Sequence, residues 1–405
     1  MHDIALFKHF QLGMNSRAGR LLGRERDGIA FDFTDGQYGS MVIRDTGSVT
    51  NGFAGLPKDK MTYTSPSAKW VMNSGGILES ASTLRVDYST AGVAQGLLCE
   101  AQATNNCLWS DDLTNAAWIA TTMTTAMTAT GVDGVANSAT TLTATAGNAM
   151  VLQTLAVGSS TRITSCFIKR RTGSGTVQIT QDAGGTWTTV TVTAGWTRVE
   201  CPSATVASPV VGVRLVTNAD AVDVQFFQHE IAAFPSSPIR TTTATVTRSA
   251  DQISLLQSLF PVGADNTLFL DNIPTNATTG TYLDVGTLFQ AGGAGGIYCS
   301  GGSIVQFDHT GTTQCSSSTG VSAVRNTQNV IAARYRDNDF AVVQKGGSLV
   351  FDTSGTSFTK NTAQPMQLSG NSFGGAYPTM WLRRAMALPR GLANAQLQEL
   401  VLSPT

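Results

Sequence analysis

Apolar and polar residues alternate in short runs along most of the chain, and turn-forming residues bound the runs. From residue 65 onward the period is two, the spacing that places every second side chain on one face of a strand. Lys69-Trp70-Val71-Met72, the turn Asn73-Ser74-Gly75-Gly76 and Ile77-Leu78-Glu79 read as a hairpin. Further strands are expected over 162–169, 176–181, 186–192, 197–201, 210–216 and 222–231. A second set is expected over 266–271, 281–289, 296–299, 304–308, 329–335, 340–345, 348–351 and 379–386. Val222, Val224 and Phe226 alternate with Asp223, Gln225 and Phe227, which puts the first three on one apolar face. Near the C-terminus the period changes: Asn394 suits a helix N-cap, and Leu397, Leu400 and Val401 form an apolar stripe.

Turn signals recur about every eight to twelve residues, which is the rhythm of a β-sandwich. With about 100–200 residues per domain, a chain of 405 residues is expected to hold more than one core. The fold class read from this pattern is all-β, with two β-sandwiches over 65–251 and 252–405. Residues 1–64 are expected to be an N-terminal attachment segment. They have weak periodicity, an arginine cluster at Arg17, Arg20, Arg24 and Arg26, and an exposed turn at Pro57-Lys58-Asp59-Lys60. The plainer alternative is a leader without a partner.

Charge narrows the functions. Charged residues make up 13% of the chain and the formal net charge is −1, so no field of one sign recruits nucleic acid or an anionic membrane. No apolar run reaches the roughly 18–20 residues that span a bilayer, and Met1-His2-Asp3-Ile4 does not open a secretory signal. The six cysteines include no C-x-x-C pair, which argues against zinc. Cys299 and Cys315 can pair, but reduced thiols are expected of a chain made in a cytoplasm.

Catalytic constellations are hard to assemble. Glycoside cleavage needs two convergent carboxylates, and Glu79, Glu100, Glu200, Glu230 and Glu399 are dispersed. His229 is expected to be a satisfied structural histidine and His309 a turn residue. The expected class is therefore non-enzymatic, with a glycan hydrolase as a remote alternative. No cofactor is expected. Asp337, Asn338 and Asp339 place three oxygen-bearing side chains in one turn and are the calcium candidates, beside the ordinary hairpin reading. Sugar recognition needs flat aromatic platforms among amides and hydroxyls. Tyr282, Tyr298, Tyr335, Tyr377 and Trp381 are the glycan-binding candidates in the C-terminal half, and Trp187 and Trp196 are further aromatics of the same kind. Trp109 and Trp118 are expected to pin the first strands to a core, and Arg85 to pair with Glu100.

Several phrases have a familiar form. Arg85-Val86-Asp87-Tyr88, Gly96-Leu97-Leu98-Cys99-Glu100, Ala103-Thr104-Asn105-Asn106 and Trp109-Ser110-Asp111-Asp112-Leu113 with Asn115-Ala116-Ala117-Trp118 resemble a recurrent module of tailed-bacteriophage virion surface proteins. Phe234-Pro235-Ser236-Ser237-Pro238-Ile239 and Val246-Thr247-Arg248-Ser249-Ala250-Asp251 are similar to its closing phrase. The resemblance implies a jelly roll like a carbohydrate-binding module over 65–251. The C-terminal Trp381-Leu382-Arg383-Arg384 and Leu397-Gln398-Glu399-Leu400 resemble the end of concanavalin-like lectin domains, which implies a lectin-type sandwich over 252–405. The implied function is a tail-fibre or receptor-binding subunit that contacts host surface glycans. The alternative is a head-decoration spike. The implied location is the virion surface, after synthesis in the host cytoplasm. The implied partners are other virion proteins, through residues 1–64, and sister copies in a homotrimer.

Overall fold

The computed structural model describes residues 27–44, 53–64, 67–182, 185–256, 265–275, 289–290, 296–300, 303–307, 313–317, 324–355, 365–369 and 379–402. The expected all-β class holds: apart from a 3-10 turn at Pro57–Asp59 and the helix Asn394–Leu402, the regular elements among these residues are strands. His309 and residues 1–26 lie outside them.

The central sandwich has two antiparallel sheets. The five-stranded sheet runs in the order Ile119–Thr121, Ala149–Thr154, Val210–Leu215, Val177–Thr180, Thr188–Val190. The six-stranded sheet runs Met123–Ala129, Ala139–Ala144, Ala221–Glu230, Ser160–Thr172, Thr197–Glu200, and Ala204–Val206 also pairs with Ser160–Thr172. Inward positions such as Val151, Ile179 and Val213 meet Leu142, Ile168 and Val224 in one buried cluster. Trp118 packs edge-on against Phe227 with ring centroids 5.0 Å apart, and its Nε1 donates to the Leu108 carbonyl at 3.1 Å. This is the pinning expected of it. Trp109 is half-buried against the same cluster.

The strand Ala221–Glu230 departs from simple alternation. Val222 and Val224 enter the core, but the register shifts where Ser165 faces Gln228 and Phe167 faces Gln225, and Phe226 adopts φ 50°. Such an extra residue reverses the facing of the later residues in its strand. Phe227 therefore enters the core, while Phe226 points to the opposite face and packs with Met72, Leu78 and Val132. The single apolar face expected for Val222, Val224 and Phe226 is corrected accordingly. All ten residues of this strand are buried: the hairpin Lys69–Met72 with Leu78–Ala81 covers Phe226, Trp70 lying 4.9 Å from it, and the segment 236–239 covers Gln228 and Glu230.

The other sandwich is assembled from both ends of the described chain. Its large sheet has the order Phe53–Gly55, Ser40–Arg44, Gly28–Asp32, Met380–Leu388, Asn266–Pro274, Asn329–Tyr335, Phe340–Gln344, Val350–Asp352. Ala94–Cys99 joins the other stretch of Met380–Leu388 and carries Val86–Tyr88. A smaller sheet contains Phe289–Gln290, Pro365–Ser369, Gln252–Leu256 and Met61–Thr64. Ile253, Leu255 and Met61 from the small sheet meet Ile29, Phe31, Leu268 and Ile331 from the large one. The helix covers the far side, burying Leu397 and Val401 against Phe269 and Val330. Asn394, read as an N-cap, accepts from Arg334 Nη1 at 2.8 Å. Strands read from sequence as part of an attachment segment thus lie in this core: Ile29, Phe31 and Phe33 are buried. These strands are too short to show a core of their own, and the partners that complete it, Met380–Leu388 for Gly28–Asp32 and Gln252–Leu256 for Met61–Thr64, are distant in sequence.

One further expectation is revised, and one open alternative, a Cys299–Cys315 disulfide, is closed. Arg85 pairs with Glu79 at 2.7 Å, and Glu100 faces Arg248 at 3.4 Å, so the Arg85–Glu100 pair does not form. Cys299 and Cys315 lie on Gly296–Ser300 and Thr313–Ser317, the outer strands of a three-stranded sheet with Ser303–Phe307 between them. Two strand spacings, about 9–10 Å, exceed the roughly 7 Å Cα reach of a disulfide. Cys107, Cys166 and Cys201 are buried free thiols, and burial raises their pKa values.

Candidate ligand-binding face

The hairpin covers the outer side of the six-stranded sheet around Phe226 and Phe167, whereas on the outer side of the five-stranded sheet the side chains of the two rows below are half-buried or exposed, apart from Thr180, which is buried beside Gly212. Period-two alternation sorts its residues into rows. Thr121, Met150, Arg214, Gln178 and Thr189 stand side by side across the five strands. Two residues along, Ile119, Leu152, Gly212 and Thr180 form the next row, and Trp187 lies two residues before Thr189, at that row's end.

Polar and aromatic groups are linked across this face. The Arg214 guanidinium lies 4.2 Å from the Trp187 ring centre. Its Nε donates to Gln178 Oε1 at 2.8 Å and its Nη2 donates to the same oxygen, while Gln178 Nε2 donates to Thr189 Oγ1 at 3.2 Å. The chain of contacts fixes the guanidinium over the indole and presents an aromatic edge beside amide and hydroxyl groups. Ile119 is 67% exposed on the edge strand, and Met150 and Leu152 are half-buried beside it. Between Leu152 and Trp187 the floor is low. Gly212 has no side chain, and a Cβ there would sit 2.1 Å from the Val151 carbonyl oxygen and 2.6 Å from Leu152 Cδ2. No carboxylate stands in these two rows. The face can stack the apolar side of a ring and donate to its hydroxyls, but it has no acid–base pair.

The residues predicted from sequence are distributed otherwise. Tyr335 is fully buried in the large-sheet core, edge-on to Phe340 at 5.9 Å, and cannot be a platform; this corrects its reading as a glycan contact. Trp381 is half-buried against Val71 and Leu98, and its Nε1 donates to Asp87 Oδ2 at 2.8 Å. Tyr282, Tyr377 and the Tyr298 side chain lie outside the described residues. Trp196 packs toward the hairpin cluster with Lys169 Nζ 4.7 Å from its ring. Asp337, Asn338 and Asp339 form a hairpin turn in which Asn338 has φ 55° and Asp339 is held by Arg334 and by Arg336 at 3.1 Å. Among the described residues no group of three or more Asp, Glu, His or Cys side chains is arranged to hold a metal. His229 is a buried structural residue, as expected: its Nδ1 lies 2.8 Å from Thr164 Oγ1, and burial with Arg162 nearby lowers its pKa to about 3. The signal for the open face was present in Gln178 and Arg214, polar positions between core residues on two apolar strands. That they face each other depends on register, which alternation within each strand does not encode.

No protein-family model matches the chain, and no curated protein matches it. Among solved structures, the chain is similar to domain 4 of AbnA, an extracellular arabinanase from Geobacillus stearothermophilus solved with arabinotriose. That match has 16% identity and a TM-score of 0.29, and covers 39% of this chain and 77% of that one. It is similar also to the tandem CBM22 domains of Paenibacillus barcinonensis Xyn10C, with 9% identity, a TM-score of 0.24, and 73% and 98% coverage. A third is the Trypanosoma rangeli sialidase, with 10% identity, a TM-score of 0.27, and 90% and 66% coverage. At these TM-scores none of the three bears on the ligand of this chain.

Proposed function

We propose that this chain is a non-enzymatic carbohydrate-binding protein whose ligand lies across the outer face of the five-stranded sheet. The observation that carries the reading is the Arg214–Trp187 stack, fixed by Gln178 at the end of an open row with exposed Ile119. A shallow face of this kind suits an extended, neutral, hydroxyl-rich chain, and affinity per copy is low unless copies are linked. Glycan-array binding of the full chain, displayed multivalently, tests this. Binding to at least one neutral polysaccharide is expected, and Trp187→Ala is expected to weaken it about tenfold or more. No binding to host-cell polysaccharides, or binding indifferent to Trp187→Ala, defeats the reading.

The finer reading is a tail-fibre or receptor-binding subunit on a tailed-phage particle, acting as a trimer. It is supported by the sequence phrases at 96–118 and 234–251, which frame the central sandwich. Imaging of particles labelled on this chain distinguishes tail from head.

A further inference from the structure

A cleft of about 270 Å³ lies away from the five-stranded sheet, between the hairpin turn at residues 73–76 and the stretch 85–88. Gln37, Asn73, Glu79, Arg85 and Tyr88 contribute to its lining over a floor of Val71 and Val86. Its polar groups are already organised. Glu79 accepts from Arg85 Nη1 at 2.7 Å and from Asn73 Nδ2 at 2.6 Å. Asn73 Oδ1 accepts from the Gly75 and Ile77 amides, which fixes the turn. The Tyr38 ring lies 5.8 Å from the Arg85 guanidinium. Gly92 locks the rim from the other side: it has φ 75°, and a Cβ there would sit 2.6 Å from the Ser74 carbonyl oxygen. Only glycine lets the two turns approach so closely.

One donor in this arrangement is unanswered. Arg85 Nε is buried with no acceptor among the described residues, and Nη2, on the same edge of the guanidinium, makes no hydrogen bond there either. A buried donor without a partner is uncommon and costs stability, so an incoming acceptor is favoured. The charges settle which acceptor. Arg85 and Glu79 neutralise each other, so the lining offers no net attraction to an anion. It alternates donors (Arg85, Asn73) with an acceptor (Glu79), the pattern that answers adjacent hydroxyls, each of which both donates and accepts. A volume near the low end of ligand clefts, which run from about 300 Å³, admits one ring and not a chain.

We propose that this cleft is a second binding site, separate from the sheet face, that takes a single neutral sugar ring through adjacent hydroxyls held by Arg85 and Glu79, with Tyr88 as its side wall. The site binds a terminal residue end-on, whereas the sheet face binds along a chain.

The test is saturation-transfer NMR and calorimetry on the full chain with a panel of neutral and acidic monosaccharides at about 10 mM, sufficient for weak single-ring affinity. At least one neutral monosaccharide is expected to bind. Arg85→Ala is expected to weaken it about tenfold or more, the effect of losing charge-assisted hydrogen bonds. Trp187→Ala is expected to leave it unchanged, which separates this site from the sheet face. Glu79→Gln keeps an acceptor for Asn73 and removes the charge, so it decides the matter should Arg85→Ala fail to fold. The proposal is overturned if no neutral monosaccharide binds, if only acidic sugars bind, or if binding is indifferent to Glu79→Gln and Arg85→Ala.

Discussion

Lys69 and Asp251, 182 residues apart in sequence, form an ion pair at 2.9 Å in which both side chains are fully buried. Asp251 also accepts from the Tyr63 hydroxyl at 2.8 Å and from the Glu100 amide at 2.9 Å. One carboxylate thus joins the hairpin, a strand of the small sheet and both chain segments that flank the central sandwich. Burial works to lower the Lys69 pKa, but the Asp251 carboxylate, with Tyr63 and Glu100, outweighs it, and the ammonium is held charged. Removing either partner leaves an uncompensated buried charge. Lys69→Met and Asp251→Asn are each expected to cost about 3–5 kcal/mol, read as a lower urea midpoint. A loss below about 1 kcal/mol in both, as for a surface pair, would contradict this account.

Two buried groups give stability opposite slopes with pH. Burial raises the Asp87 pKa from 3.8 to about 6. The folded state therefore holds its proton more tightly, and this contribution is present below pH 4 and lost as pH rises through 6, about 3 kcal/mol in all. For His229 the pKa falls to about 3, so its contribution is present above pH 6.5 and lost as pH falls toward 3. The expected signature is differential. Asp87→Asn removes the loss between pH 4 and 6 and leaves a steeper acid-side fall, whereas His229→Gln flattens the acid side. Urea midpoints from pH 3 to 8 for the three proteins check this; parallel curves would count against both assignments.

Removal of residues 1–64 takes away Gly28–Asp32, Ser40–Arg44, Phe53–Gly55 and Met61–Thr64. The loss strips Met380–Leu388 of one neighbour and exposes Ile253, Leu255 and Leu268. Calorimetry of the truncated chain is expected to show the outer sandwich's transition collapsed and the central sandwich's transition retained. If both transitions survive, the N-terminal strands are dispensable and serve attachment alone.

Much of the fold could be read from alternation because a strand with one buried face must alternate. Val177 and Ile179, or Val211, Val213 and Leu215, announce their sheet plainly. Phe226 could not be read in the same way, because a positive φ at one position turns over the rest of the strand and leaves no compositional mark. Aromatic type was equally silent on placement: Tyr335 fills a core while Trp187 stands on an open face. Arg85 found Glu79, six residues before it, and not Glu100, because Glu100 is turned into the buried face where Arg248 meets it, a facing that its spacing from Arg85 does not encode. The site residues were hardest, since Gln178 and Arg214 become neighbours only through the register of two strands.

The pairing of Gly28–Asp32 with Met380–Leu388 also sets a timetable for synthesis. Roughly 350 residues separate the partners, so at about 5–20 residues per second the first strand leaves the ribosome some 20–70 s before its neighbour exists. The central sandwich, whose partners all lie within 119–230, is complete long before that. During the wait Gly28–Asp32 can pair with Ser40–Arg44 on one side alone, and Ile29, Phe31 and Phe33 lack the core that buries them in the folded chain. A nascent chain of this design needs either a chaperone holding those strands or a neighbouring copy, and slowing translation beyond the central sandwich should raise the yield of aggregate and not of folded protein.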